Sequence, residues 1–428
     1  MRRSCISIVI FVVLVAASCR AQNAQTLTRQ DAEKIAIQNH PQIQAATQIA
    51  AVAAAQVREV RSAYYPQANG SATGAEAEHD SRVAAGVLNN PIIYDRFADG
   101  ITVGQLVTDF GRTHELSKSA NLHAKAQQET VVTTRADVLL AVDRAFFGVL
   151  KAKALLRVAQ ETVKDRQLIA DQVSAMAKNQ LKSQLDVSFA NVDLARAQLL
   201  LVQAQNELDA SYAELSTALG YGDQRIFEPV EELLPGAPPT DIGQLTSQAL
   251  RDRPELISQR LDVGSADSYV TAERDLWMPT LSAVGVAGLI PFREEQLAPR
   301  YAAAGFNLNI PIFNGHEYGA LRNEAQGEAR AQQQYLRDLQ DRIVRDVRDA
   351  WLNANSGFQR LSLTDQLLHE ATQAFDLAQA RYKLGLSSII ELSQAQLELT
   401  QAQIEDASAK YDYQTDLSVL SFQLGALH

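Results

Sequence analysis

The stretch that decides the fold is residues 336–382, LRDLQDRIVRDVRDAWLNANSGFQRLSLTDQLLHEATQAFDLAQARY. It contains no proline, and its apolar side chains recur every three or four residues, as on one face of a coiled-coil helix. A second tract, 112–219, has no proline and one glycine. At about 1.5 Å per residue, helices over 112–178 and 316–383 would each be roughly 100 Å long. Such helices cannot surround a compact core, so we predict an elongated, mostly α fold.

Four short motifs occur twice, in the same order and about 200 residues apart. They are Asn39-His40-Pro41 and Asp252-Arg253-Pro254, Tyr64-Tyr65-Pro66 and Trp277-Met278-Pro279, Asp109-Phe110-Gly111 and Ile312-Phe313-Asn314-Gly315, and Leu219-Gly220 and Leu424-Gly425. Internal repetition of this kind predicts two copies of one structural unit. We predict repeats over 22–220 and 245–428, joined by a connector over 221–244 that is rich in proline and glycine.

Each repeat carries the same sequence of helix signals. In the first repeat a helix is predicted to begin at Pro41, because proline is favoured at the first helical position, and to end before Pro66. Helices over 41–64 and 183–219 would together nearly equal the long helix of 112–178. We therefore expect two shorter helices, stacked end to end, beside one long helix.

Two stretches with alternating polar and apolar residues follow the first helix of each repeat, at about 66–110 and about 279–313. The candidate strand pairs are Pro66–Glu78 with Ile101–Phe110, and Pro279–Leu289 with Tyr301–Phe313. The alternation is clearest in residues 306–312, where the apolar residues Phe306, Leu308, Ile310 and Ile312 occupy every second position and Asn307 and Asn309 lie between them. Strands of about ten residues with this pattern are typical of transmembrane β-barrels, although a half-buried soluble sheet gives the same pattern. Four strands cannot close a barrel, and an open edge is costly in lipid, so several chains would have to share one barrel. Three chains of four strands would supply twelve.

The N-terminus has the layout of a secretory signal peptide, which we predict over 1–21. Two arginines precede an apolar run of about 12 residues, too short to span a bilayer. Cys19 follows three small residues, as in a lipoprotein signal, and is a candidate lipid attachment site. Ordinary cleavage after Ser18 or Ala21 is the alternative.

Composition argues against several classes of function. The net charge is −11, which would repel a nucleic acid. The two cysteines, Cys5 and Cys19, lie in the first 20 residues, and none of the seven histidines lies four residues from another. A cysteine zinc site and a helical histidine pair are therefore excluded from the mature chain. We find no catalytic constellation and expect no enzyme activity, metal or cofactor.

One hairpin tip carries a family resemblance. Residues 380–396 read ARYKLGLSSIIELSQAQ, and the segment Lys182-Ser183-Gln184-Leu185-Asp186-Val187 of the first repeat is similar. With the two-copy layout, these tips resemble the TolC-like outer membrane efflux proteins, and the resemblance covers essentially the whole mature chain. It implies a homotrimer in the outer membrane, with four strands per chain in a twelve-stranded transmembrane β-barrel. A long α-helical coiled-coil barrel would continue it across the periplasm.

The resemblance also implies roles for residues in the two hairpin tips, at about 178–186 and 383–391. Residues that match family positions are Glu391 and Gln394 at the pore constriction, Asp186 and Tyr382 as a latch between coils, and Lys182, Ser183, Gly385 and Ser388 as adaptor contacts. The chain departs from the family pattern with an amide at Gln394, with Ser387 where some members carry arginine, and with Gln180 where glycine is expected.

The function implied is that of a passive exit duct for efflux or type I secretion, gated at its periplasmic tip. Its partners would be outer membrane lipid, a periplasmic adaptor and an inner-membrane pump of the RND, ABC or MFS type. A periplasmic adaptor is an alternative, although adaptors carry one helical hairpin and this chain has two. A structural coiled-coil protein is a further alternative, which leaves the recurring strand pairs unexplained.

Overall fold

The computed structural model describes residues 25–78 and 94–427, so Cys19 and the rest of the predicted signal peptide lie outside the described residues. In chain order the elements of these two ranges are β1 (Gln25–Leu27), α1 (Arg29–Asn39), α2 (Pro41–Arg61), β2 (Gln67–Ala75), β3 (Arg96–Thr108), α3 (Arg112–Lys178), α4 (Gln184–Ala218), β4 (Phe227–Pro229), α5 (Ile242–Asp252), α6 (Pro254–Arg274), β5 (Thr280–Arg293), β6 (Arg300–Asn309), α7 (Glu317–Lys383) and α8 (Ile389–Gln423). Among the described helices, none combines enough length with enough apolar residues to cross a membrane.

Each helix of the first half has a counterpart of equal length in the second half. The pairs have 11 residues in α1 and α5, 21 in α2 and α6, 67 in α3 and α7, and 35 in α4 and α8. The mostly α fold predicted from the two long tracts is confirmed. The repeat limits, 22–220 and 245–428, stay a prediction that these equal lengths support.

Four elements of the structure are not predicted from the sequence: the helices α1 and α5 and the three-residue strands β1 and β4. The strands pair in parallel, with Gln25 opposite Phe227, and so join distant parts of the chain through a contact that no local pattern reports. The helices do carry local signals. Thr28 accepts a hydrogen bond from the Asp31 backbone, and Asp241 accepts one from Gln244, as N-cap residues do.

The repeated Leu-Gly and Pro motifs meet in space. The chain leaves α4 through Gly220, whose φ is +84°, and a Cβ there would lie 3.0 Å from the backbone of Asn39, at the junction of α1 and α2. Gly425 ends α8 with φ +71° and approaches the backbone of Asp252 at 3.0 Å in the same way. Because α2 and α4 both pack along α3, they stand end to end beside it, as their lengths predict.

A four-stranded antiparallel sheet, in the order β2-β3-β5-β6, joins the two halves of the chain. Its outer face is apolar and open: Ile101 is 59% exposed and Phe306 is 78% exposed. Asn307 points to the opposite face, since successive side chains alternate across a strand. The predicted strand over Tyr301–Phe313 is too long, because β6 ends at Asn309, two residues before Pro311, which lacks the N–H that a ladder needs.

The connector between the halves is held against α7 and α8 by aromatic side chains. The Trp351 indole donates to the Pro239 carbonyl at 2.6 Å, and the Tyr413 hydroxyl donates to the Gly236 carbonyl. The Tyr411 hydroxyl donates to Glu231 at 3.1 Å, and burial raises the pKa of Tyr411 to about 12, with the charge of Glu231 adding to the effect. These bonds fix an otherwise irregular segment.

Three carboxylates surround one guanidinium near this connector. Arg29 of α1 lies 2.7 Å from Glu33, 3.5 Å from Asp143 of α3 and 3.3 Å from Glu232 of the connector. Asp143 is fully buried, and burial raises its pKa. Burial, followed by the charge of Asp143, raises the pKa of Glu33 to about 6. The fold therefore favours a protonated Glu33.

Glu33→Gln is expected to flatten the pH dependence of stability. The pKa of Glu33 in the folded chain is above its ordinary value of 4.5, so its stabilisation is complete below pH 4.5 and is lost as the pH rises through about 6. Thermal unfolding midpoints of the solubilised protein across this interval measure the effect. The exposed Glu59→Gln on α2 is the matched control, and equal slopes for Glu33→Gln and wild type would contradict the assignment.

Candidate functional site at the hairpin tips

The α3–α4 and α7–α8 turns lie side by side at one end of the molecule, because their helices share an apolar core. This tip cluster comprises Ile169, Ala170, Val173, Ala190, Ala378, Tyr382, Ile389 and Leu392. It draws on all four helices. Burial of these side chains fixes the position of one hairpin against the other.

The first turn is built by local hydrogen bonds. Gln180 adopts φ +60°, a left-handed conformation that usually favours glycine, and the Leu181 N–H closes the turn on the Met176 carbonyl at 2.9 Å. Ser183 and Asp186 then form a capping box on α4: the Asp186 N–H donates to Ser183 Oγ at 3.2 Å, and Asp186 Oδ2 accepts from the Ser183 N–H at 2.9 Å. The Asp186 carboxylate therefore caps the N-terminus of its own helix, α4.

The second turn repeats this design with a glycine. Gly385 adopts φ +74°, and the Leu386 N–H bonds the Arg381 carbonyl at 2.9 Å. Ser388 caps α8 by accepting from the Glu391 N–H at 3.3 Å. The Glu391 side chain pairs with Arg381 of the same hairpin at 3.1 Å, and both groups are about half exposed. The acid predicted at the constriction therefore has a cationic neighbour.

Tyr382 lies between the two turns. Its ring is buried in the tip cluster, and the Lys182 ammonium sits 3.9 Å from the ring centroid. The buried hydroxyl has no hydrogen-bond partner among the described residues. Burial raises the Tyr382 pKa, and the nearby charge of Asp186 raises it further. The single chain thus brings the two predicted latch residues near each other without a hydrogen bond between them.

A groove of about 420 Å³ lies between α4 and α8, just behind the turns. Its walls are largely apolar, and Gln394 lines it, donating to Glu398 at 2.7 Å. Its polar side chains include Arg166, Asp193 and Ser393, which sequence reasoning missed. One signal was available: Arg166 interrupts the buried series of α3 at helical spacing, Ala159, Thr162, Arg166, Ile169 and Val173.

The four predicted adaptor contacts, Lys182, Ser183, Gly385 and Ser388, all lie in these two turns. Beside them Leu181 and Leu384 expose 73% and 74% of their surfaces. Within residues 25–78 and 94–427, no group of three or more His, Cys, Asp or Glu side chains is arranged to hold a metal ion.

Comparisons with known proteins agree on one family. A family model described as outer membrane efflux protein matches residues 34–221 and 245–426. Outer membrane protein TolC of Escherichia coli K12 is 22% identical over 389 residues, covering 87% of this chain and 77% of TolC. Cation efflux system protein CusC of the same strain is 24% identical over 384 residues, covering 84% of this chain and 78% of CusC. The Campylobacter jejuni CmeC outer membrane channel superposes with a TM-score of 0.81 at 17% identity, covering 93% of this chain and 85% of CmeC.

Proposed function

Because this chain belongs to the outer membrane efflux protein family, we propose that it is the outer membrane exit duct of a tripartite efflux system or a type I secretion system. The protein lies in the outer membrane and extends into the periplasm. It acts as a passive conduit without catalytic activity. Energy for transport comes from an inner-membrane pump, which a periplasmic adaptor connects to the duct.

The observation that carries this proposal is the incomplete sheet. Strands β2 and β6 are its two edges within one chain, and its outer face is apolar. Unpaired backbone groups are costly in lipid, so the β6 edge of one chain pairs with the β2 edge of the next. Three chains close a twelve-stranded barrel. Below it, α3 and α7 are each about 100 Å long and extend the duct across the periplasm.

The duct is closed at the hairpin tips. Glu391 and Gln394 of three chains face the constriction, where three like charges attract cations. The buried Tyr382 hydroxyl, which has no hydrogen-bond partner among the described residues, and the nearby Asp186 support a latch between the neighbouring coils of the two hairpins. The adaptor engages Lys182, Ser183, Gly385 and Ser388 and offers contacts that compete with the latch.

Channel formation tests the proposal. The detergent-solubilised protein is expected to be a trimer by size-exclusion chromatography with light scattering, and to conduct ions in planar bilayers. A monomer without conductance would contradict the duct. The adaptor and structural coiled-coil alternatives gain no support from the family match, and both predict the absence of conductance.

Glu391→Ala is expected to weaken block of the channel by multivalent cations, because it removes three carboxylates from the mouth. Arg381→Ala is expected to strengthen the block, since it frees Glu391 from its ion pair. The concentration for half-maximal block measures both effects, with the exposed Glu214→Ala on α4 as the control. Unchanged block in Glu391→Ala would place the cation site elsewhere.

A further inference from the structure

Arg166 of α3 is a buried cation that forms no ion pair with any of the described residues. It is 8% exposed, and its Nη1 has no acceptor in the part of the chain that the structure describes. Its Nη2 donates to the neutral Thr400 hydroxyl at 3.4 Å. Burial lowers the pKa of the Arg166 guanidinium, and the charge of Asp193 opposes that shift. A buried charge whose donors are not satisfied is costly to the fold that contains it.

The nearby carboxylate is engaged elsewhere. Asp193 of α4 accepts a hydrogen bond from the Ser393 hydroxyl of α8 at 2.5 Å. Its other oxygen lies 3.7 Å from Arg196, one helical turn along α4. The Asp193–Ser393 bond ties the two hairpins together, whereas Arg166 and Asp193 belong to the same hairpin. The Asp193 carboxylate therefore has two candidate donors, Ser393 on α8 and Arg166 on α3.

We propose that Arg166, Asp193 and Ser393 form a two-position switch for the tip gate. With the gate shut, Asp193 binds Ser393 and holds α8 against α4, while Arg166 is left without a carboxylate. When the α7–α8 hairpin moves away, the bond to Ser393 breaks and Asp193 pairs with Arg166. The inference rests on the proposed duct function and adds the contact that gives its gate two stable positions.

The energetics favour a switch over a simple latch. Breaking the Asp193–Ser393 bond removes the hydrogen bond that Asp193 accepts from the other hairpin. The Arg166 guanidinium can replace Ser393 as the hydrogen-bond donor to Asp193. The new ion pair also gives Nη1 of Arg166 the acceptor that it lacks in the shut state. Opening therefore exchanges one bond of Asp193 for another. An adaptor then has to supply less free energy to open the tip.

Two substitutions act on opposite positions of this switch. Ser393→Ala removes the bond of the shut state and should raise the ratio of open to shut channels about tenfold or more. Arg166→Met removes the open-state partner and the buried charge and should lower that ratio about tenfold. Ser188→Ala, an exposed α4 serine that bonds only its own helix, should match the wild type. Single-channel recording of the full trimer gives the open fraction.

A disulfide provides a second readout if a variant assembles poorly. The chain has no cysteine after Cys19, so Asp193→Cys combined with Ser393→Cys introduces one pair. Oxidation is expected to shut the channel and reduction to reopen it. A disulfide that forms and leaves conductance unchanged would overturn the switch, as would a wild-type open fraction in Ser393→Ala or in Arg166→Met. A wild-type protein that never conducts would instead contradict the duct itself.

Discussion

Phe306→Arg is expected to abolish assembly of the protein in the outer membrane. Phe306 lies on the apolar outer face of β6 and is 78% exposed in the single chain. An arginine facing lipid in a β-barrel costs up to about 2–4 kcal/mol at the bilayer midplane and less towards the interfaces, and a trimer carries this cost three times. The amount of trimer recovered from outer membrane fractions measures the effect.

The adjacent Asn307→Arg is the matched control. Asn307 belongs to the same strand but points to the opposite face, which in the duct is the water-filled interior. The same charge placed there keeps its hydration, so trimer yield should stay close to that of the wild type. Equal losses in both variants would contradict the assignment of the two faces.

Gly220→Val is the second substitution with a large expected effect. A β-branched side chain is strained at φ +84°, and its Cβ would lie 3.0 Å from the Asn39 backbone. Strain and crowding together should lower the free energy of unfolding by about 3 kcal/mol or more per chain. The midpoint of the thermal loss of helical circular dichroism reports the change.

Gly222→Val provides the comparison two residues further along the chain. No heavy atom lies within 4 Å of a Cβ built at Gly222, and its φ is not in the left-handed region. Its melting midpoint should therefore remain near that of the wild type. A Gly220→Val protein as stable as Gly222→Val would show that the junction of α4 with α1 and α2 is not tightly packed.

The long helices could be predicted because their signals are local and repeated. Absence of proline and apolar spacing placed α3 and α7 within a residue of their observed limits. The repeated Leu-Gly motif is visible in the sequence, but the structural role of its glycine is not. The close approach of Gly220 to Asn39 joins residues far apart in the chain. The pairing of β1 with β4 was missed for the same reason.

The two hairpin tips were located through the family resemblance, and the roles of their residues stay predictions. The geometry of each turn is local, since it depends on Gly385 and on the two capping serines, Ser183 and Ser388. The Ser183–Asp186 capping box could have been read from its spacing alone. By contrast, the role proposed for Arg166 depends on its contacts with side chains of α4 and α8. These side chains lie far from Arg166 in the sequence, so no local pattern could predict the contacts.

In the proposed duct, one chain forms a third of a wall between lipid and water. The most direct test places a nitroxide label at each of residues 306–309 in turn, in protein reconstituted into lipid vesicles. Labels at Phe306 and Leu308 should be reached by oxygen dissolved in lipid, and labels at Asn307 and Asn309 by a water-soluble nickel chelate. Uniform access of the chelate to all four positions would contradict the account.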